Sequence, residues 1–265
     1  MICMKNNKLL DNLCLSLVLI FLFLPIVVLI IFSFNTSRLN IVFEGFTLKW
    51  YCELFHNKVL LEALVNTLLV ALTSTVVSTI IGTISAYGLK KYNFKGKKFI
   101  NELLYIPVII PEIVLGISLL CIYSFLKLEL GMFSLILSHI AFSIPFVIIN
   151  VNSSIEAMNP NIEEAASDLG ASKLKTFFYV VIPCLLPGML SGAELAFTLS
   201  LDDVVISYFT AGPDSNTLPL QIFSIIKSGV TPDVNALITL LLAIIFTILF
   251  VSMSLSIRRM KKVGV

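Results

Sequence analysis

The chain has little charge for its size. Only 13% of its 265 residues are Asp, Glu, Lys or Arg, whereas 58% are hydrophobic. Because a soluble domain carries about a quarter charged residues, this composition excludes an ordinary water-soluble protein. The formal net charge is only +2, and we predict no nucleic-acid partner from it.

Residue types that carry enzyme chemistry are also scarce. The chain has two histidines and five scattered cysteines, a pattern that indicates neither a metal site nor a disulfide framework. It lacks the Gly- and Lys-containing phosphate-binding loop of ATPases, and no nucleophile stands beside a paired base. We therefore predict no catalytic residue, no metal and no cofactor. His139 lies alone in an apolar stretch, where packing is favoured over proton transfer as its role.

Long apolar stretches dominate the chain instead. Four uncharged windows are each long enough to cross a bilayer, which needs about 20 residues; they are residues 12–37, 63–89, 130–155 and 234–257. Residues 103–126 and 183–201 are also apolar, but each contains one acid, Glu112 and Glu194 respectively. We predict an all-α membrane protein with six transmembrane helices in one domain that covers residues 1–265.

The basic residues orient these spans. If the N-terminus is inside, thirteen of the 18 basic residues fall in cytoplasmic segments: two before the first span, five in residues 90–98, two in residues 173–175 and four in residues 258–262. Cytoplasmic segments carry the excess of Lys and Arg in membrane proteins. We therefore predict a multi-pass protein of the cytoplasmic membrane with both termini in the cytoplasm.

One polar segment, at about residues 156–182, joins the predicted fourth and fifth spans. It contains Glu163-Glu164-Ala165-Ala166-Ser167-Asp168-Leu169-Gly170, followed by Val180-Val181-Ile182-Pro183. Pro160 is suited to open a short helix with Asn159 as its N-cap, and the two glutamates would favour the helix dipole. Gly170 is expected to end that helix in a sharp corner.

The spacing of this segment resembles the EAA motif of binding-protein-dependent ABC importer permeases. The matching positions are Glu164, Ala165, Ala166, Gly170, Val180, Ile182 and Pro183. The resemblance implies the type I ABC importer (MetI-like) permease fold, in which this segment docks on a separate ATPase that hydrolyses ATP. It assigns ATPase coupling to Glu164, Ala165, Ala166, Gly170 and Pro183. The implied partners are a second homologous permease subunit, an ATPase dimer, an extracytoplasmic binding protein and membrane lipid.

Acids within apolar spans are the other candidates for function. In a straight helix Glu112 would lie ten residues beyond Glu102, roughly 15 Å into the bilayer. A carboxylate at such depth must face the bundle interior or a water-filled path. At about 100° per residue, Asp202 would lie near the face of Glu194 and Asp203 on the opposite face, towards a neighbour. A purely structural role for these acids remains an alternative.

Three later segments resemble the permeases of spermidine/putrescine importers: residues 196–207, 218–224 and 229–237. This resemblance implies a polyamine cargo, delivered by a polyamine-binding protein outside the membrane. A polyammonium ion needs paired carboxylates in place of its water shell. The candidate substrate path therefore consists of Glu112, Glu194, Asp202 and Asp203.

Two other functions remain open. The same class of importer could carry sulfate, ferric iron, molybdate or an amino acid, although an anion would favour basic residues along the path. A stand-alone secondary transporter is a less favoured alternative, because no inverted repeat is evident in the sequence.

Overall fold

The chain folds into helices, as its apolar stretches predict. The computed structural model describes residues 8–37, 42–228, 232–244 and 246–247, and within them the only β-type pairing is an isolated bridge between Asn35 and Phe46. The helices are α1 (Lys8–Phe32), α2 (Lys49–Leu54), α3 (Lys58–Lys91), α4 (Lys97–Ile109), α5 (Glu112–Phe125), α6 (Met132–Ala157), α7 (Ile162–Asp168), α8 (Lys173–Thr176), α9 (Ile182–Asp202), α10 (Val205–Thr210), α11 (Leu218–Ser228) and α12 (Pro232–Ile244). A π-helical turn, Phe177–Val181, connects α8 to α9.

The chain divides into two compact units. One comprises Met1–Leu61 and Ser224–Val265, and the other comprises Glu62–Phe223. In the first unit, the indole Nε1 of Trp50 donates a 2.5 Å hydrogen bond to the carbonyl of Asn35, and the hydroxyls of Ser33 and Tyr51 lie 2.7 Å apart. The second unit holds the candidate site residues, while the predicted single domain stays a prediction.

Helices α6 and α9 form the centre of the second unit because glycines allow their backbones to approach closely. A Cβ atom on Gly188 of α9 would lie 2.6 Å from the carbonyl oxygen of Asn150 in α6, and one on Gly192 would lie 3.1 Å from the Cα of Val147. Around this contact the core residues Val147, Val151, Leu185 and Ala196 are completely buried. Small residues at such contacts are typical of helices that pack within membranes.

Helix α3 packs through a face of small polar residues. Ser74, Ser78 and Thr83 are buried, and a Cβ atom on Gly82 would lie 2.7 Å from the Cγ1 of Val147. The helix has 34 residues, or about 51 Å at 1.5 Å per residue, and so exceeds the ~30 Å hydrocarbon core. At least one end of α3 must therefore project into the headgroup region or beyond it.

The predicted third span is wrong as a single straight helix. Residues 103–126 form α4 and α5, which are bent by 114° at the break between them. Pro111 explains the break, since a proline disfavours helical geometry in the residue before it, and Ile110 has an extended ψ of 139°. Glu112 is consequently the first residue of α5, and the depth of 15 Å calculated for a straight helix does not hold.

The predicted fifth span begins earlier than expected. The helical segment runs continuously over Lys173–Asp202, so the second half of the predicted 156–182 loop is helical. The π turn directly precedes Pro183, and the amide of Ile182 bonds the carbonyl of Phe177. This wider turn leaves room before a proline ring that would clash with the i−4 carbonyl of an ordinary helix.

Most of the predicted spans are present in the described part of the chain. Four helical segments are long and apolar enough to cross a membrane: Asn12–Phe32, Lys58–Lys91, Met132–Ala157 and Lys173–Asp202. The bent pair α4–α5 is a fifth if it counts as one span. The predicted sixth span, residues 234–257, starts within α12. Most of its residues beyond Ile244 lie outside the described part of the chain. The all-α membrane class is confirmed.

Candidate functional site

The polar segment forms a short helix that starts slightly later than predicted. Helix α7 begins at Ile162 with Asn161 in the capping position, so the predicted start at Pro160 with Asn159 as N-cap is wrong by two residues. The Oδ1 of Asn159 instead accepts a 3.0 Å hydrogen bond from the backbone N–H of Asn161. Such an Asx turn leads the chain into the helix and competes with a direct helical start at Pro160.

The predicted corner at Gly170 is confirmed. Gly170 has a φ of +83°, in the left-handed region that favours glycine. Its N–H bonds the carbonyl of Ser167 at 2.9 Å, and the N–H of Ala171 bonds the carbonyl of Ala166 at 3.0 Å. These two bonds form a Schellman motif, which satisfies the last carbonyls of α7 and turns the chain sharply towards α8.

The two adjacent glutamates of α7 have different surroundings. The Oε2 of Glu163 accepts a 2.9 Å hydrogen bond from the Tyr87 hydroxyl and forms an ion pair with the Nζ of Lys91. Lys91 also donates to the Tyr87 hydroxyl, and the Tyr87 ring packs 5.1 Å from that of Phe177. Glu164 is exposed and has no hydrogen-bond or ion-pair partner among the described residues. Glu163 thus joins α7 to the end of α3, whereas Glu164 is free to contact another protein.

The sequence interpretation missed the role of Glu163. The motif match assigned coupling to Glu164, and the lysines of residues 90–98 were used only to orient the chain. The glutamates of α7 and the lysines of residues 90–98 have opposite charges and could form an ion pair. The sequence does not show which lysine pairs with Glu163, because the two partners lie 72 residues apart.

The outer surface around α7 is unusually apolar for an exposed corner. Leu169 is 90% exposed and Leu174 is 74% exposed, beside the exposed Glu164 and Ala165. Exposed apolar side chains at a corner are candidates for contact with another protein. Ala166 is half-buried, and Pro183 lies beyond the π turn at the start of α9 rather than on α7. The motif residues therefore divide between the exposed corner and the helix that continues from it.

The predicted acids Asp202 and Asp203 lie where α9 ends. Asp202 is its last residue, and Asp203 is extended, with a ψ of 125°, before the chain re-enters the helix α10. Asp203 is only 7% exposed. Its Oδ1 accepts the N–H of Ile206 at 3.1 Å, and its Oδ2 accepts both the N–H and the hydroxyl of Ser207 at 2.7 Å. Asp203 therefore stabilises the start of α10. The predicted direction of its side chain assumed that α9 continues through position 203, and this assumption is wrong because α9 ends at Asp202.

His139 belongs to the same buried network. It is 1% exposed; its Nδ1 lies 2.7 Å from the Ser200 hydroxyl, and its Nε2 lies 3.0 Å from the Ser207 hydroxyl and 3.4 Å from the Oδ2 of Asp203. The Ser200 hydroxyl also lies 3.2 Å from that of Ser74 in α3. The network joins α3, α6, α9 and α10, and both ring nitrogens have partners, as the packing interpretation expects.

The bend between α4 and α5 places Glu112 beside this corner. Helix α5 packs on α10, where a Cβ atom on Gly116 would lie 2.7 Å from the Cδ2 of Phe209. The negative charges that act on Glu112 are those of Asp203 and Asp202. Glu112 and Asp202 are both exposed in this chain, and neither has a hydrogen-bond or ion-pair partner among the described residues. We refer to Glu112 and the two aspartates whose charges act on it, Asp202 and Asp203, as the carboxylate cluster.

Glu194 does not join the carboxylate cluster. It lies eight residues before Asp202 in α9, about 12 Å along the helix axis. Its carboxylate is exposed and has no hydrogen-bond or ion-pair partner in the described part of the chain, although its backbone carbonyl accepts the hydroxyl of Thr198 at 2.9 Å. Within the described residues, no three His, Cys, Asp or Glu side chains converge as a metal site requires.

The long apolar helices, together with the exposed corner at α7, define a polytopic membrane protein. Over residues 78–262 the chain matches the model of the binding-protein-dependent transport system inner membrane component. It belongs to this family, and it is a permease subunit of a transport system, as the motif implied.

Curated relatives extend this result over most of the chain. The chain is 43% identical over 224 residues to the spermidine/putrescine transport system permease protein PotC of Escherichia coli (strain K12), covering 84% of this chain and 85% of that one. It is 37% identical to PotC of Haemophilus influenzae, with 92% and 95% covered. It is 36% identical to the putrescine transport system permease protein PotI of Escherichia coli (strain K12), with 91% and 89% covered.

Solved structures confirm the fold. A chain of a bacterial ABC transporter involved in the import of the acidic polysaccharide alginate superimposes with a TM-score of 0.72, at 16% identity, covering 96% of this chain and 98% of that one. A chain of an amino acid ABC transporter superimposes with a TM-score of 0.57, at 18% identity, with 80% and 99% covered. At these identities the likeness shows the ABC importer permease fold and leaves the cargo to other arguments.

Proposed function

We propose that the chain is the permease subunit of an ATP-driven importer that moves spermidine and putrescine into the cytoplasm. The observation that carries this proposal is the 43% identity to a spermidine/putrescine permease over 84% of the chain. The cargo named for the other two relatives, spermidine/putrescine and putrescine, supports the same class. The competing cargoes of the sequence analysis have no comparable support.

The carboxylate cluster suits a polyammonium cargo. Glu112 and Asp202 are exposed and have no hydrogen-bond or ion-pair partner among the described residues, and the negative charges of Asp203 and Asp202 act on Glu112. A cation that passes between them relieves this repulsion and exchanges its hydration for charge-assisted hydrogen bonds. We assign substrate contact to Glu112 and Asp202, with Glu194 as a second contact along α9. Asp203 stabilises the turn between α9 and α10, next to which Asp202 lies.

The α7 corner suits the coupling role. Glu164, Ala165, Leu169 and the turn at Gly170 present an exposed surface for docking on a separate ATPase, which would hydrolyse the ATP. Movement of that surface would pass to α3 through Glu163 and its ion pair, and to α9 through the continuous helix. The other partners in this proposal are a second permease, a second ATPase copy and an extracytoplasmic binding protein. Both chain termini and α7 would be cytoplasmic.

The test is transport by the reconstituted importer. The chain is co-purified with its partner permease and ATPase, inserted into liposomes, and supplied with the binding protein and ATP. We expect ATP-dependent uptake of labelled spermidine that excess putrescine reduces and that sulfate or an amino acid does not. Uptake by the chain alone would favour the stand-alone transporter, and an assembled, ATP-hydrolysing complex without polyamine uptake would refute the cargo.

A substitution tests the assignment of Asp202. Loss of one charge-assisted contact removes about 1.5–3 kcal/mol, roughly a ten- to hundredfold change. We expect Asp202→Asn to lower spermidine uptake by that factor while assembly and basal ATP hydrolysis stay normal. Asp214→Asn removes the same charge at another exposed position and serves as the control. Equal uptake by both variants would show that Asp202 does not contact the cargo.

A further inference from the structure

A polar pocket lies at one end of the second unit, between the end of α3, the start of α4 and the end of α6. Its volume is about 150 Å³, and its lining residues are Leu89, Lys90, Lys97, Asn101, Asn152, Ile155 and Glu156. Two lysines and one glutamate thus give the pocket one net positive charge. The side-chain amides of Asn101 and Asn152 add hydrogen-bonding groups.

An adjoining groove lies between α4 and α6. A second cavity of about 110 Å³ shares Asn101 and Asn152 with the pocket and is otherwise lined mainly by apolar side chains, those of Leu104, Tyr105, Pro145, Ile148 and Ile149. The two cavities together form a cleft with a charged end and an apolar end. This is the polarity of a phospholipid, with a charged headgroup and hydrocarbon chains.

The charged end lies at the level expected for headgroups. Lys90 is next to the last residue of α3, a helix longer than the hydrocarbon core. The exposed Tyr92 follows in the adjoining segment, and tyrosine is enriched at membrane interfaces. The pocket is therefore placed where a lipid phosphate would meet it.

The ammonium groups of the pocket have capacity for an anion. Lys90 has no hydrogen-bond or ion-pair partner among the described residues, whereas its neighbour Lys91 is held by Glu163. Lys97 donates one hydrogen bond, of 3.1 Å, to the side-chain oxygen of Asn93. A lysine ammonium has three donors, so both lysines retain donors for phosphate oxygens.

We propose that this cleft binds an anionic phospholipid of the phosphatidylglycerol type. The single negative charge of its phosphodiester neutralises the net charge of the pocket, the two asparagines serve its glycerol hydroxyls, and an acyl chain follows the groove between α4 and α6. A zwitterionic lipid leaves the positive charge unbalanced. Basic pockets between membrane helices bind anionic headgroups in this way.

The experiment measures the lipid retained by the assembled importer. The complex is purified, incubated with mixed micelles that hold equal amounts of phosphatidylglycerol and phosphatidylethanolamine, and analysed by native mass spectrometry. The test variant is Lys90→Gln with Lys97→Gln. The control is Lys95→Gln with Lys98→Gln, which removes the same charge from the same segment but outside the pocket lining. A third variant, Glu156→Gln, makes the pocket more positive.

The proposal predicts opposite effects within one pocket. The wild-type complex should retain phosphatidylglycerol in preference to phosphatidylethanolamine. The test variant should retain roughly thirtyfold less, because each of its two substitutions removes about 1 kcal/mol of attraction. The control should stay within twofold of the wild type, and Glu156→Gln should retain more. Equal losses in test and control variants, no preference in the wild type, or a loss with Glu156→Gln would each overturn the proposal.

Discussion

Asp202 and Asp203 are adjacent acids for which the structure predicts opposite consequences of the same substitution. Asp203 is buried and accepts hydrogen bonds from Ile206 and Ser207, whereas Asp202 is exposed without a hydrogen-bond partner among the described residues. Changing each to Asn removes one negative charge and almost no volume. We expect Asp203→Asn to lower the stability of the chain and Asp202→Asn to leave it unchanged.

The magnitude follows from the bonds at the corner between α9 and α10. An Asn at position 203 keeps one oxygen acceptor and turns an NH2 group towards a donor, so at least one hydrogen bond to the carboxylate is lost. Such bonds contribute about 1.5–3 kcal/mol each. Asp203→Ala also leaves Ser207 and His139 without their buried partner, and removing one side of a buried network costs about 3–5 kcal/mol. An exposed substitution such as Asp202→Asn stays within about 0.5 kcal/mol.

The assay is thermal unfolding of the purified full-length chain in detergent, followed by far-ultraviolet circular dichroism. The expected order of midpoints is wild type equal to Asp202→Asn, then Asp203→Asn, then Asp203→Ala. Spermidine uptake gives the second readout, because Asp202→Asn should lose uptake without losing stability. If Asp203→Asn unfolded at the wild-type midpoint, the network with Ser207 and His139 would not stabilise the corner and the reasoning would be refuted.

Four further predictions concern the coupling corner, the core and the orientation. Gly170→Val should abolish substrate-stimulated ATP hydrolysis, because a β-branched residue resists a φ of +83°, whereas Gly170→Asn should retain most of it. Glu163→Lys and Lys91→Glu should each weaken coupling, measured as substrate-stimulated ATP hydrolysis. The double exchange should recover part of this hydrolysis, because it restores an ion pair that contributes up to about 1 kcal/mol. Gly188→Val should destabilise the chain by about 1–3 kcal/mol in the unfolding assay, because the valine side chain would overlap the α6 backbone. A cysteine in place of Lys95, in a cysteine-free background, should react with an impermeant thiol reagent only from the cytoplasmic side.

Each of these predictions has an opposing outcome. Equal hydrolysis by the Val and Asn variants at position 170 would show that coupling does not depend on the left-handed backbone conformation at this position. A double exchange no better than the single ones would show that Glu163 and Lys91 act separately. Wild-type stability of Gly188→Val would contradict the close approach of α6 and α9. Labelling of position 95 from outside would reverse the predicted orientation.

Features with a local physical cause were predictable from the sequence. The apolar windows predicted the membrane helices, because a bilayer requires about 20 apolar residues whatever their neighbours are. The corner at Gly170 was also predictable, since the left-handed conformation that ends α7 is a property of glycine itself. Helix limits were less accurate: the π turn extends the helix before Pro183, and Asn159 forms a turn before α7 rather than its cap.

The bend at Pro111 was only partly predictable. Pro107 and Pro111 lie in the predicted third span, and a proline can break a helix but does not set the angle of the helix that follows. The angle of 114° accompanies the packing of α5 on α10, where Phe209 fills the space beside Gly116. A straight-helix argument therefore misplaced Glu112.

The sequence by itself determined that this chain is a membrane permease with a sharp corner at Gly170 and with acids in its spans. Only the tertiary structure decided which polar side chains come together: Glu163 pairs with Lys91, Asp203 lies beside His139 and Ser207, and Glu112 lies within the electrostatic influence of the acids at the end of α9. The physical reason is range. Hydropathy and backbone preference act within a few residues, whereas a pairing across tens of residues depends on how the helices pack. The contact of α6 with α9 brings His139 to the end of α9, and the contact of α5 with α10 brings Glu112 to the same end.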